Sequence, residues 1–157
     1  MTLHFINAQL IDPEAGTVTR GTIRVEDGKI AAVLDDTAPI AGDAQVVDCR
    51  GKYLAPGIVD LGVKVCEPGE RHKESFRSAG LAAAAGGVTT MVTRPDTDPT
   101  IDSPEVLEFV TRRANEAAPV NVVPMAALTK GREGREMTEI GFLMDAGAVG
   151  FTDCDRV

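Results

Sequence analysis

The rhythm of apolar and polar positions changes near residue 55. Before that point four short apolar runs, at 3–11, 21–26, 29–34 and 45–49, are separated by Gly, Asp and Pro, the punctuation of short strands. Asp27-Gly28, between the second and third runs, suits a type I′ turn because both central positions need positive φ. The runs predict small antiparallel strands. From Pro56 onward strands alternate with helical stretches, the pattern of βα units and a parallel sheet. Strands are predicted at 58–65, 88–93, 121–127 and 148–151. An Ala-rich helix over 73–85 stops at Gly86-Gly87, a second opens on Ser103 as N-cap with Pro104 behind it and runs to about Ala117, and a third covers about 136–146. The chain thus divides into segments 1–55 and 56–157.

Four βα-type strands make half of a (β/α)8 barrel, which takes about 250 residues and eight strands. A lone half would expose the edges of its first and fourth strands, and inner faces carrying Ile58, Val63, Val92, Val122 and Val149 would be incompletely covered. A 157-residue monomer is therefore expected to be unstable unless a missing half, a second copy or another protein covers these surfaces.

Composition narrows the function classes. With 43% hydrophobic and 25% charged residues the chain is globular rather than disordered, collagenous or coiled coil. Its net charge of −8 disfavours a polyanion, and 4% aromatic residues offer few stacking platforms, so nucleic acid is set aside and the core is expected to be aliphatic. Cys49, Cys66 and Cys154 lack Cys-x-x-Cys spacing and fit free thiols in a reducing, cytoplasmic setting. No apolar run reaches membrane-spanning length and no signal-peptide pattern opens the chain, so no membrane role is expected.

The stretch from Ala55 to Gly69, Ala-Pro-Gly-Ile-Val-Asp-Leu-Gly-Val-Lys-Val-Cys-Glu-Pro-Gly, resembles the first barrel strand of the dihydroorotases, in the amidohydrolase superfamily with hydantoinases and allantoinases. Residues 82–90, Arg94-Pro95-Asp96-Thr97-Asp98-Pro99, Leu128-Thr129-Lys130-Gly131 and residues 147–153 resemble the same family in the same order. The resemblance implies an α/β fold: an amidohydrolase-type TIM barrel, of which this chain holds the first four βα units, with a small N-terminal β-sandwich. The active site would lie at the C-terminal ends of the strands.

Relatives carry Asp-x-His-x-His on this strand, where positions i and i+2 face one side and two imidazoles converge on a zinc ion. Here those positions are Gly62 and Lys64, one without a donor and the other a cation that repels a metal. The family's substrate-clamping Arg is Cys66, and the Asn of its Pro-Asn-Thr-Asn-Pro motif is Asp96; both changes remove attraction for an anionic substrate, and Asp96 adds repulsion. Asp153 matches a metal-bridging aspartate of relatives and is either a vestigial ligand or a loop-start carboxylate capping backbone amides. Pairing of Lys64 with Asp153 across the cleft is expected.

Lys64 lacks a companion nucleophile or cofactor motif and reads as structural rather than catalytic. A replacement zinc site from Cys66, Cys154 and Asp153 has no supporting spacing. His4 and His72 read as solvent-facing or hydrogen-bonded, Gly86-Gly87 as a helix stop, and the charged 130–136 stretch as a solvated loop. The leading expectation is a non-catalytic dihydroorotase homologue without cofactor, where active relatives use zinc. The resemblance adds a structural role in pyrimidine biosynthesis beside aspartate transcarbamoylase, or self-association. The alternatives are a metal-dependent cyclic-amide hydrolase completed by a C-terminal half, and a metal-free small-molecule binding module using the cleft.

Overall fold

The computed structural model describes residues 2–37, 39–40, 42 and 44–156. The chain forms two units, one ending at Pro56 and the other beginning at Gly57. In the first, β1 (Thr2–Asp12), β2 (Thr17–Glu26), β3 (Lys29–Leu34), β4 (Gln45–Asp48) and β5 (Tyr53–Leu54) make one five-stranded sheet in the order β3-β2-β1-β4, with β5 also on β1. Asp27 (φ 49°) and Gly28 (φ 77°) close the β2–β3 hairpin with Glu26 opposite Lys29, as the dipeptide predicts.

The antiparallel expectation is corrected for β4, which runs parallel to β1, as does the short β5 outside the predicted runs. β3 lies beyond β2 and β4 on the far side of β1, so β4 is a crossover from β3 and runs in β1's own direction. A bulge between Phe5 and Ala8, with Asn7 at φ 55°, divides β1: β4 pairs before it at Leu3 to Ile6, and β5 after it at Gln9 and Leu10. For His4 the solvent-facing reading is corrected. It is only 3% exposed, joins Ala8 and Leu10 as a buried position of β1, and leaves Nδ1 without a partner among the described residues. His72 is exposed.

In the second unit β6 (Ile58–Val63), β7 (Val88–Thr93) and β8 (Asn121–Pro124) form a parallel three-stranded sheet in sequence order. Helices α1 (Phe76–Ala85), α2 (Pro104–Ala117) and α3 (Ile140–Asp145) follow the strands. α1 starts later than 73 because Ser75 caps it: Ser75 Oγ accepts the Ser78 N–H at 3.1 Å and the Ser75 N–H donates to Ser78 Oγ at 3.0 Å. α2 begins at Pro104 and ends at Ala117, as predicted.

α3 is shorter than the predicted 136–146. Its expected first residues spend their backbone groups elsewhere: the Glu136 carbonyl accepts Lys130 N–H at 2.8 Å, and Thr138 N–H donates to the Leu128 carbonyl at 3.0 Å. The fourth strand is reduced to a parallel bridge between Ala126 and Phe151. Ala126 N–H donates to Gly150 at 3.0 Å and Thr152 N–H to Ala126 at 3.0 Å, but the next N–H on that side, Leu128, turns to Asp153 Oδ1 at 3.0 Å and the ladder ends.

The core lies on the helix side of the sheet and is aliphatic apart from Phe76, with Met91, Ile101, Leu107, Val110 and Leu143 buried in it. Val122 belongs to this core and Val63 packs against it, correcting their expected place on the uncovered face. On edge strand β6, Leu61 stays 76% exposed, and Ile58 and Val59 are exposed as well. Among the described residues no helix is long and apolar enough to cross a membrane.

Candidate functional site

Parallel strands direct their C-terminal ends the same way, so the segments after β6, β7, β8 and the Phe151 bridge share one end of the sheet. Gly62 sits just before that end at φ 87°, where the β6–β7 register shifts between Leu61 and Val63. It is a bulge glycine, and a Cβ there would meet nothing within 4 Å. Lys64 follows, its side chain 53% exposed and its Nζ 3.1 Å from Oδ2 of Asp96.

Asp96 is held from two sides, with its side chain 4% exposed. Arg94 donates from Nε to Oδ1 at 3.2 Å and from Nη2 to Oδ2 at 2.9 Å, a fork on the carboxylate that Lys64 also contacts. Arg94 Nη2 reaches Asp155 Oδ1 at 3.4 Å, and Arg132 Nη1 lies 3.7 Å from that same oxygen. The hydrogen bond and charge of Asp96 raise the Lys64 pKa. Burial works against the charged Arg94, but Asp96 and a contact with Cys154 outweigh it and raise its pKa.

Asp153 is engaged elsewhere. Oδ1 accepts the N–H groups of Leu128 and Thr129, each at 3.0 Å, and Oδ2 accepts Thr129 Oγ1 at 2.6 Å. Thr129 Oγ1 in turn accepts the Gly134 N–H at 2.9 Å, so the carboxylate fixes the start of the 128–134 loop. Burial alone would raise its pKa, but the Thr129 hydroxyl, the two amides and Arg132 lower it overall.

Two expectations are corrected here. Lys64 pairs with Asp96 rather than Asp153, because Asp153 is turned into backbone amides while Asp96 lies within reach of the ammonium. Asp96 adds no net repulsion, because Lys64 and Arg94 neutralise its charge. Of the two readings of Asp153, the loop-capping contacts are the ones present.

The donors at this end do not fit a divalent ion. Gly62 brings none, the Lys64 ammonium is a cation in an ion pair, and both Asp153 oxygens hold protein donors. Among the described residues no three His, Cys, Asp or Glu side chains gather closely enough to hold a metal, which also removes the Cys66, Cys154 and Asp153 combination. All three cysteines are free thiols of intermediate exposure.

Several residues had no role in the sequence reading. The Glu67 side chain is buried; Oε1 accepts Arg113 Nε at 2.8 Å and lies 3.6 Å from Arg71 Nε, while Oε2 accepts the Phe76 N–H at 3.0 Å. It ties the segment after β6 to the start of α1 and to α2. Asp102 Oδ2 accepts the Gly131 N–H at 2.8 Å, and Arg94, Arg132 and Asp155 form the ion pairs above. The signal for Glu67 was its place in the Cys66-Glu67-Pro68-Gly69 stretch; its partner on α2 has no signal in local spacing.

A family model described as dihydro-orotase-like matches residues 51–157. The chain is 42% identical over 153 residues to a dihydroorotase of Bacillus cytotoxicus, covering 98% of this chain and 35% of that protein. It is 39% identical over 147 residues to a dihydroorotase of Sulfurihydrogenibium, covering 94% and 34%. The solved L-hydantoinase of Arthrobacter aurescens superposes with a TM-score of 0.82 at 27% identity over 95% of this chain and 32% of that one. The chain spans about a third of the length of the curated relatives it matches.

Proposed function

Because the chain belongs to the dihydroorotase-like family and has the α/β architecture of the first part of an amidohydrolase barrel, we propose that it is a non-catalytic dihydroorotase homologue with a structural role in pyrimidine biosynthesis. The observation that supports this most strongly is Lys64, an ammonium ion-paired with a buried carboxylate at a strand end where the family resemblance places a metal-binding imidazole. A metal ordinarily supplies the hydrolytic nucleophile by lowering the pKa of bound water to about 7. Gly62, Lys64 and Asp153 offer it no ligand set. The scaffold role needs no chemistry from the cleft; by analogy with the family the partner is aspartate transcarbamoylase, or a second copy of the protein. Exposed Ile58, Val59 and Leu61 on edge strand β6 suit such a covered surface.

A second reading, a metal-dependent cyclic-amide hydrolase completed by a C-terminal half, draws support from the share of the relatives' length that lies outside this match. Zinc content and dihydroorotate hydrolysis separate the two. The expected result is no stoichiometric zinc in protein purified without chelator, and no turnover above a protein-free control. About one zinc per chain together with hydrolysis overturns the non-catalytic reading.

A further inference from the structure

The charged side chains at the strand ends alternate in sign: Lys64, Asp96, Arg94, Asp155 and Arg132, with successive contacts of 3.1, 2.9, 3.4 and 3.7 Å. Their origin in the chain matters more than the individual pairs. Lys64 follows β6, Arg94 and Asp96 follow β7, Arg132 lies in the loop after β8, and Asp155 follows the Phe151 bridge. Each of the four βα-type segments contributes at least one member.

We infer that this ion-pair chain ties the four strand ends together, the mechanical task a shared metal ion performs when ligands from several strands converge on it. That the tie stands in place of a metal rests on the non-catalytic reading; the tie itself rests on geometry. Isolated surface ion pairs contribute little, but this chain has a buried centre. Asp96 is removed from solvent, gripped by the Arg94 fork and closed by Lys64, so either cation lost leaves the carboxylate less compensated. Lys64 and Asp155, on either side of that centre, are exposed and couple it to the neighbouring segments. Within the chain of pairs three cations face two anions, and Asp153, whose pKa Arg132 helps to lower, is a third carboxylate at this end.

A double-mutant cycle with Lys64→Met and Asp96→Asn in the protein as isolated tests the tie, read by thermal melting and by amide exchange over 94–98 and 153–156. Asp96→Asn should lower the melting temperature by about 3–8 °C, and the double variant should lose less than the sum of the singles. Lys64→Met, at an exposed position, keeps the test open if Asp96→Asn does not fold; it should speed exchange in the 153–156 segment, where Asp155 meets Arg94 and feels the Lys64 charge. Strictly additive losses with unchanged exchange there overturn the tie. A melting temperature that falls on adding chelator overturns its replacement of a metal. Dihydroorotate turnover with the coupling intact overturns the non-catalytic reading and leaves the tie standing.

Discussion

On the helix side of the three-stranded sheet, Met91, Leu107, Val110 and Leu143 are buried by apolar contact alone. At the strand ends of the same sheet, Asp96, Asp153 and Glu67 are held by hydrogen bonds and ion pairs to named partners. The first arrangement is non-directional and tolerates changes in shape better than losses of volume. The second is directional, so removing one partner leaves another group unsatisfied. The contrast teaches that the fold and the cleft are supported separately: the cleft's side chains can change chemistry without emptying the core.

The strongest way to break that separation is through the core itself. Leu107 is fully buried on α2, and Leu107→Ala should cost about 2–5 kcal/mol in urea unfolding while leaving the Lys64–Asp96 coupling measurable in whatever folded fraction remains. A loss below that of Lys64→Met would undo the contrast. Glu67 sits where the two regimes meet, since its carboxylate binds both the first amide of α1 and Arg113 on α2. Glu67→Gln should cost about 2–4 kcal/mol, since a buried charged partner is lost from Arg113. Faster amide exchange at Phe76 should accompany it, and an unchanged unfolding midpoint would contradict this role for Glu67.

The smallest effect is expected at Asp153. Its folded pKa lies below the ordinary carboxylate value of 3.8, so its contribution is present above that value and lost as pH falls through the folded pKa. Asp153→Asn should cost about 1 kcal/mol at neutral pH, and the difference from the parent should shrink below about pH 4. Denaturant midpoints measured from pH 7 down to pH 3 check this, and a gap that widens on acidification would contradict it.

Signals between chain neighbours are legible in the sequence, and those that depend on distant segments are not. The Asp27-Gly28 hairpin and α2 behind Ser103-Pro104 are set by residues adjacent in the chain. The parallel return of β4 depends on where a connection crosses the sheet, and the shortening of α3 on carbonyls and amides at 127–130, neither visible in apolar periodicity. The cleft positions Gly62, Lys64, Cys66, Asp96 and Asp153 came from family resemblance. Choosing between Asp96 and Asp153 as the partner of Lys64 required side-chain direction, because both aspartates stand at strand ends and only the backbone amides of Leu128 and Thr129 decide which is already occupied.

Gly62 carries a consequence for the routes by which this strand end can change. Space does not oppose a larger side chain there, since a Cβ would meet nothing within 4 Å; the backbone does, at φ 87°. An L-residue placed in that conformation pays about 1–2 kcal/mol, or else it pulls β6 out of its bulge. The second course would move Val63, whose carbonyl accepts the N–H of Arg94 at 2.9 Å, and with it the guanidinium that grips Asp96. A histidine placed at 62 would therefore arrive with a penalty and with no imidazole at 64 beside it, so a pair of imidazoles at this strand end is not reached by single substitutions without cost.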